Sequence, residues 1–319
     1  MTLEQLRVFV AVAERQHVTR AGGALNLAQS AVSAAIAALE SRHGAKLFHR
    51  VGRGIELTEA GRLFLVEARA VLARAESAEL LLSELGGLKR GTLQIQASQT
   101  IASYWLPRRL VSFRRAHPGI DIRLTVGNTA QVAAAVQGGV AELGFVEGDV
   151  DAPILEATRV ARDQLVIGVG PTHPWASAAD LSADRLAESE WVLREVGSGT
   201  RSMFEAALKG FGVDPRNLRV VLELPSNESV RAAVEAGMGA TALSASVAAP
   251  SFEAGLMHEV GVRLPERSFW VLRHTERYGS RAAAALLNMI PTLAPIFGTT
   301  KIEADRSQKR TFRPELPAG

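Results

Sequence analysis

The chain has 319 residues, no cysteine, a formal net charge of +3 and a hydrophobic content of 47%. This length allows two or three domains. Without cysteine the chain can form no disulfide, thiol nucleophile or Cys-ligated zinc site. The N-terminal sequence lacks the features of a secretory signal, and no window approaches the roughly 18 uninterrupted apolar residues of a membrane span. We therefore expect a globular, cytoplasmic protein without a membrane segment.

Positive charge is concentrated in one short stretch of the N-terminal part. Residues 41–55 contain Arg42, Lys46, Arg50 and Arg53 and no acidic residue. A basic patch on a nearly neutral protein is typical of a nucleic-acid contact. A solvated surface without a partner is the alternative that charge alone leaves open.

The first 58 residues predict short helices followed by a β-hairpin. Apolar residues recur three or four positions apart over residues 3–13, as in a helix with one buried face. Thr19 is placed to cap a second helix, and a third begins near Gln29 and stops at Gly44. The basic segment LFHRVGRGIEL then predicts a hairpin. This order of elements is that of a winged helix-turn-helix, predicted over residues 1–58.

A long linker helix is predicted over residues 59–90. Its apolar residues alternate four and three positions apart, which gives a seam that one helix cannot bury alone. We favour a homodimer formed through this seam; packing against the chain's own domains is the alternative. The seam consists of Phe64, Ala68, Val71, Ala75, Ala78, Leu82 and Leu85.

From residue 91 to 297, strands alternate with amphipathic helices, which predicts parallel sheets in an α/β domain. Two breaks in the pattern divide this domain into two lobes with a cleft between them. The fold class is therefore α/β with an all-α N-terminal part. The predicted boundaries are 91–161 plus 267–297 for lobe I, 162–266 for lobe II, and 298–319 for a polar tail expected to be disordered.

The N-terminal motif resembles that of LysR-type transcriptional regulators. The run VTRAGGALNLAQSAVSAAIAALESRHGAKLFHR, followed by LTEAG and a long helix, matches that family in order and spacing. The resemblance covers roughly residues 2–297 and implies a two-lobed effector domain with a periplasmic-binding-protein-like fold. It also implies a homotetramer of two dimers across a bent promoter. ASQTIASYWLPRRL and REVGSGTRSMFE are similar to the branch that regulates sulfur assimilation and carbon fixation.

The recognition helix is predicted over residues 29–42, because the major groove admits one α-helix and its N-terminal residues contact base edges. Many relatives carry a long polar or basic residue at position 34. Ala34 instead indicates less base readout and more recognition through DNA shape and phosphates. The alternative for the serines is capping and a solvated face. We expect base contacts from Gln29, Ser30 and Ser33, and phosphate contacts from Thr19, Arg20, Arg50 and Arg53.

The dimer seam has a consequence for the DNA partner. A two-fold symmetric dimer is expected to bind double-stranded DNA with two-fold symmetric half-sites, about one helical turn or a multiple of it apart.

Several polar helix N-termini follow strand ends in the second half of the chain. Ligands of open α/β sheets bind at the carboxyl ends of strands, and helix N-termini favour anions. We hypothesise a small anion in the cleft; the alternative is that these residues are ordinary N-caps. The resemblance implies a sulfur oxyanion or a phosphorylated or organic-acid metabolite. The candidate residues are Ser98, Gln99, Thr100, Thr129, Ser198, Gly199, Thr200 and Asn227.

Two carboxylates complicate an anion site. Glu147 and Glu228 in the cleft would oppose an anion or select a cationic group, which makes an amino acid or other zwitterion the alternative ligand. Phe145 and Trp105 are candidates to line the site, with core packing as the alternative role of each.

Enzymatic motifs are absent from the sequence. There is no GxxxxGK[ST] loop and no GxSxG elbow, and the HExxH-like start at His258 has Val262 in place of the second histidine. Nothing in the sequence calls for a metal or cofactor. The remaining alternatives to an effector-controlled regulator are an effector-independent DNA-binding protein and a solute-binding protein of the periplasmic-binding type.

Overall fold

The computed structural model describes residues 1–51, 54–85, 91–148, 150–177 and 181–291. Arg53 of the predicted wing and the predicted tail from residue 298 lie outside the described residues.

The N-terminal part is a winged helix-turn-helix. Helices α2 and α3 meet at 107°, within the roughly 90–120° typical of helix-turn-helix pairs. Gly22 lies at this turn, where an added Cβ would stand 2.7 Å from the Leu27 carbonyl oxygen, so a side chain would force the helices apart. The elements are α1 (Leu3–Arg15), α2 (Val18–Leu25), α3 (Gln29–His43), β1 (Phe48–Val51) and β2 (Gly54–Leu57).

The start of α2 differs from the prediction. His17, not Thr19, is the N-cap, and its Nδ1 accepts a hydrogen bond from the Arg20 backbone N–H at 3.4 Å. The Thr19 hydroxyl instead donates to Gln29 Oε1 at 3.0 Å, across the junction between α2 and α3. An imidazole nitrogen is an acceptor only when it is unprotonated, which is why histidine is not an obvious cap from sequence.

Glu40 fastens the wing to the recognition helix. Its buried carboxylate accepts hydrogen bonds from the backbone N–H groups of Leu47 (2.8 Å) and Phe48 (3.2 Å) and from Lys46 Nζ (2.7 Å). Burial by itself raises the pKa of Glu40, but these hydrogen bonds outweigh it and hold the pKa below the ordinary value. The charged form of Glu40 therefore fixes the hairpin relative to α3.

The linker helix α4 (Glu59–Leu85) is only partly covered by its own chain. Phe64 and Ala68, the first seam positions, pack against α1, so the alternative interpretation of the seam holds there. Further along, Val71 and Leu82 expose 42% and 69% of their surface. The covered start of the seam is therefore followed by exposed apolar side chains at Val71 and Leu82.

The second half is an α/β domain built on a mixed sheet. Over the described residues it has nine strands in the order β4-β3-β5-β11-β6-β9-β7-β8, with β10 paired to β6. The strands are β3 (Gly91–Ser98), β4 (Ile120–Gly127), β5 (Leu143–Glu147), β6 (Leu155–Val169), β7 (Glu190–Arg194), β8 (Arg219–Leu224), β9 (Ala240–Ser244), β10 (His258–Val260) and β11 (Glu266–His274). The helices are α5 (Leu106–Ala116), α6 (Thr129–Gly138), α7 (Gly199–Gly210), α8 (Asn227–Glu235), α9 (Ala245–Glu253) and α10 (Arg281–Asn288).

Two long strands join the lobes. β6 pairs with β11 from Leu155 to Gln164 and then with β9 from Leu165 to Val169, so one strand serves both lobes. β3, β4 and β5 are mutually parallel, whereas β11 runs antiparallel to β5 and β6. The all-parallel prediction is therefore wrong for these two crossing strands. Because a strand must cross the cleft in each direction, antiparallel pairing there follows from the two-lobed topology.

No single helix among the described residues is long and apolar enough to cross a membrane. Helices α2 and α3 reach that length and composition only together, across their bend.

Candidate functional site

The candidate DNA-binding residues form an open surface. Each described one is exposed, at the start of α2, on the first turns of α3 or on the wing. The Thr19–Gln29 hydrogen bond places a predicted phosphate contact beside a predicted base contact. The exposed set consists of Thr19, Arg20, Gln29, Ser30, Ser33 and Arg50.

The middle of α3 exposes only small side chains. Ser33, Ala34, Ala37, Ala38 and Ser41 are all exposed, while Val32 and Leu39 on the opposite side are buried. A face of this kind lets the helix backbone come close to the floor of a groove.

In the cleft, a carboxylate of the protein occupies the centre of the candidate anion site. The Ser98 hydroxyl donates to Glu147 Oε2, and the Thr200 hydroxyl donates to Glu147 Oε1 at 3.4 Å. Ser98 ends β3 in lobe I and Thr200 opens α7 in lobe II. The predicted hydroxyls of the two lobes therefore converge on one anionic group, which belongs to Glu147.

A buried arginine of the crossing strand β11, Arg267, supports this centre. Arg267 Nη1 donates to the Thr200 hydroxyl at 3.1 Å and lies 3.9 Å from Glu147 Oε1. Its Nε donates to Asp163 Oδ2 at 2.7 Å, and Asp163 Oδ1 accepts from the Ser244 hydroxyl at 2.8 Å. The centre thus holds two carboxylates and one guanidinium, all buried.

A second link between the lobes lies beside the first. Asn227, the first residue of α8, donates from Nδ2 to the Thr100 hydroxyl at 3.0 Å, and its backbone N–H donates to Gln99 Oε1 at 2.7 Å. Gln99 Nε2 in turn donates to the Glu228 carboxylate. Arg194 Nη1 donates to Asn227 Oδ1 at 2.7 Å, which satisfies the other end of the amide.

A third link is made at the start of α6. Asn128 Nδ2 donates to Glu195 Oε1 at 3.3 Å, and the Thr129 hydroxyl donates to the Glu147 carbonyl oxygen at 2.9 Å. Burial raises the pKa of Glu195, but hydrogen bonds from Arg194 and Asn128 outweigh it and lower the pKa, so Glu195 is charged near neutral pH. Gly199 packs against the Glu147 carbonyl oxygen, where a Cβ would collide.

Comparison with known proteins identifies the chain. Residues 3–62 match the family model "Bacterial regulatory helix-turn-helix protein, lysR family", and residues 86–294 match "LysR substrate binding domain". The chain belongs to the LysR family. This LysR-family protein is a DNA-binding transcriptional regulator with an effector-binding domain, and not an enzyme.

Curated relatives match over nearly the whole length of the LysR-family chain. It is 35% identical over 290 residues to the uncharacterized HTH-type transcriptional regulator YeiE of Escherichia coli (strain K12), covering 90% of this chain and 96% of YeiE. It is 32% identical over 297 residues to a probable RuBisCO transcriptional regulator of Cyanophora paradoxa, covering 92% of each chain.

Solved structures match the fold of this LysR-family protein. A full-length OxyR variant from Pseudomonas aeruginosa superimposes with a TM-score of 0.67 at 22% identity, covering 91% of this chain and 94% of OxyR. The regulatory domain of CcmR from Synechocystis PCC6803, in complex with 2-PG, gives a TM-score of 0.57 at 25% identity. That match covers 62% of this chain and 95% of the CcmR domain.

Three further residues that were predicted to lie in the cleft are Phe145, Ser198 and Trp105, and each has a different environment in the LysR-family protein. Phe145 is fully buried in the core of lobe I, with its ring centroid 6.0 Å from that of Trp105. Ser198 is buried as the N-cap of α7, and its side chain makes no capping hydrogen bond. Trp105 closes a π-helical turn, Ile101–Trp105, a winding often found at functional sites.

Sequence reasoning missed Arg267 and Asp163 in this LysR-family protein. They are 104 positions apart and meet only because β6 and β11 pair in this register. Each stands next to another charged residue, Arg162 or Glu266, that is exposed, so no local pattern marked Asp163 and Arg267 as buried.

Proposed function

We propose that this LysR-family regulator senses a small oxyanion that displaces the Glu147 carboxylate in the cleft. The observation that carries this proposal is the convergence of Ser98, Thr200 and the Arg267 side chain around Glu147. Hydroxyl and guanidinium donors from two lobes are the groups that recognise sulfate-, sulfite- or phosphate-like anions. The 2-PG in the CcmR domain, a similar fold at 25% identity, supports an anionic effector.

The charges of the site explain why Glu147 must move. With Glu147 and Asp163 both in place beside one Arg267, a further anion would add to an excess of negative charge. When the Glu147 side chain leaves, Ser98, Thr200 and Arg267 are left with unused donors. An external anion then restores the hydrogen bonds that a buried donor requires.

Thermal-shift titration with sodium sulfite, sulfate, phosphoglycolate and several amino acids tests this site. We expect a saturable rise in Tm with at least one anion, because a ligand that binds only the folded state stabilises it. Thr200→Val, which removes the hydroxyl and keeps the shape, should abolish the rise, whereas Ser112→Ala on the exposed face of α5 should leave it unchanged.

The substitution Glu147→Gln distinguishes an oxyanion effector from a zwitterionic effector. A neutral amide competes less well for the donors, so anion affinity should increase on the order of tenfold, equivalent to about 1.4 kcal/mol. A loss of binding in Glu147→Gln, together with a response of the wild type to an amino acid, would instead mean that Glu147 contacts a ligand ammonium group. No response to any compound would favour effector-independent DNA binding.

We propose that the chain acts in the cytoplasm as a homodimer joined through α4, with two dimers forming a homotetramer on two-fold symmetric promoter half-sites. The exposed Val71 and Leu82 on the outer part of α4 support this pairing. The described candidate DNA-binding residues, together with Arg53, would contact DNA on each protomer. Sedimentation as a stable monomer at micromolar concentration would contradict the proposal.

A further inference from the structure

Helix α6 has its first turn in the cleft between the lobes. Its N-cap Asn128 donates to Glu195 Oε1, and the Ala130 backbone N–H donates to the Gly197 carbonyl oxygen at 3.3 Å. Both acceptors belong to the segment between β7 and α7 of lobe II. Thr129 holds the Glu147 carbonyl oxygen in the same turn. The position of this turn therefore depends on whether lobe II is in place.

The last turn of α6 lies against the linker helix. Gly139 ends α6 with φ +79° and leaves no room for a Cβ beside the Ala73 methyl group of α4 and the Arg277 guanidinium. Arg277 donates to the carbonyl oxygens of Val136 and Gln137, at 2.9 Å each. We call the contact of Ala73, Arg74, Gly139, Glu276 and Arg277 the linker seat.

The linker seat also holds α4 by a direct hydrogen bond. Arg74 donates to the Glu276 carbonyl oxygen, next to the residue that holds α6. Burial, and repulsion by the nearby like charge of Arg74, lower the pKa of Arg277. The seat is thus a contact in which attraction and repulsion oppose each other, and a small displacement of α6 can weaken it.

We propose that α6 carries the state of the effector cleft to the linker helix. A helix of 10 residues spans about 15 Å and moves as a rigid unit, and helix shifts of about 1–2 Å are a common element of switching proteins. Separation of the lobes removes the Glu195 and Gly197 partners from one end of α6. The displaced helix then changes the linker seat at the other end, and with it the direction of α4 toward the DNA-binding domain.

This inference rests on the proposed function, but its test uses substitutions in place of a ligand. Asn128→Asp keeps the oxygen that caps α6 and places a second carboxylate against Glu195, which pushes lobe II away from α6. Asn128→Ser keeps a capping hydroxyl and only removes the hydrogen bond. The readout is hydrogen exchange of backbone amides in residues 70–76 of α4 in the full-length protein.

We expect Asn128→Asp to accelerate exchange in residues 70–76 by about two- to tenfold, and Asn128→Ser to do so less. The amides of α9, in lobe II and away from this contact, serve as the reference for global destabilisation. Unchanged exchange at 70–76, or equal acceleration at α9, would overturn the inference.

A double-mutant cycle identifies the route. Arg277→Gln removes the two hydrogen bonds between α6 and the seat and leaves only the contact of Gly139 with Ala73, so Asn128→Asp should affect residues 70–76 less in the Arg277→Gln background than in the wild type. Additive effects both in Arg277→Gln and in Ala73→Gly, which loosens the contact with Gly139, would mean that coupling does not run through α6 and would also overturn the inference.

Failure of the two proposals is distinguishable in the same samples. If no anion raises Tm, the effector proposal fails while the exchange result on Asn128→Asp still stands. If an anion raises Tm in the wild type but Asn128→Asp leaves α4 unchanged, the effector proposal stands and transmission through α6 fails.

Discussion

The DNA-binding surface and the effector cleft contain similar polar side chains, but these are exposed on the surface and buried in the cleft. On the surface, Ser30, Ser33 and Arg50 are exposed. In the cleft, Ser98 and Thr200 are buried and donate to Glu147. The exposed side chains of the surface are accessible to a partner, whereas the hydroxyl donors of the cleft are already hydrogen-bonded to a carboxylate of the same chain. Under the proposed function, a DNA contact therefore adds interactions, whereas an effector has to replace the hydrogen bonds that Glu147 makes.

This contrast predicts where substitutions cost stability. Residues of the cleft hold the fold as well as the ligand, because their removal leaves buried groups unpaired. The candidate DNA-binding residues of the surface are exposed, so their removal leaves no buried group unpaired. The buried Glu40 is the informative exception, since it lies in the DNA-binding domain but is bonded like a cleft residue.

The largest effect is expected from Arg267→Met. The substitution leaves Asp163 and Glu147 buried without their cation and should lower the free energy of unfolding by about 3–5 kcal/mol in a urea titration. Arg162→Met, one position before Asp163, breaks the exposed Arg162–Glu266 pair (3.3 Å) and should cost less than about 1 kcal/mol. Equal losses of unfolding free energy in the two variants would contradict the expected difference between the buried cleft and the exposed surface.

An intermediate effect is expected from Glu40→Gln. The amide oxygen can still accept from the Leu47 and Phe48 N–H groups, but it lacks the charge that strengthens these bonds, and the amide cannot accept from Lys46 Nζ with its nitrogen. The free energy of unfolding at pH 7 should therefore fall by about 1–3 kcal/mol. The lowered pKa means that charged Glu40 stabilises the fold above its ordinary value of 4.5 and that this contribution is lost as the pH falls through the lowered pKa. The gap between wild type and variant should therefore narrow below pH 4.5.

Glu4→Gln is the control for this titration, because Glu4 is exposed and lies 3.8 Å from Arg7. It should change the free energy of unfolding by less than about 0.5 kcal/mol. A gap that widens on acidification would mean that Glu40 is not the stabilising charged group.

The smallest effect on stability, close to zero, is expected from Arg50→Ala. Its consequence should be confined to DNA: binding to any duplex weakens, and the slope of log K against log salt becomes shallower by about 0.9 for each phosphate that is no longer neutralised. Arg123→Ala on the exposed face of β4 should leave the slope unchanged. An unaltered slope in Arg50→Ala would refute the phosphate contact.

The local elements of the fold were largely predictable from the sequence. Gly44 marks the end of α3 because it adopts φ +63° there, as a C-terminal cap requires. The strands β7 and β9 show no alternation of apolar and polar residues, because nearly every residue in them is buried. The antiparallel crossing of β11 was likewise not encoded in any local pattern.

The candidate cleft was predictable only in part. Helix starts at Ser98–Thr100, Thr200 and Asn227 can be read from the sequence, because capping residues after strands are local features. The contact of Thr200 with Glu147 and that of Asn227 with Thr100 depend on how the lobes come together, and the Asp163–Arg267 pair depends on strand register. Long-range register is set by the whole sheet, so sequence windows do not contain it.

The small side chains along the middle of α3 have a consequence for how regulators of this kind diverge. Ser33, Ala34, Ala37, Ala38 and Ser41 are exposed, so changing them disturbs no buried packing. Each codon there can vary without endangering folding, assembly or the input signal. After a gene duplication, two copies can therefore acquire different target promoters stepwise, while both keep the same effector-binding domain.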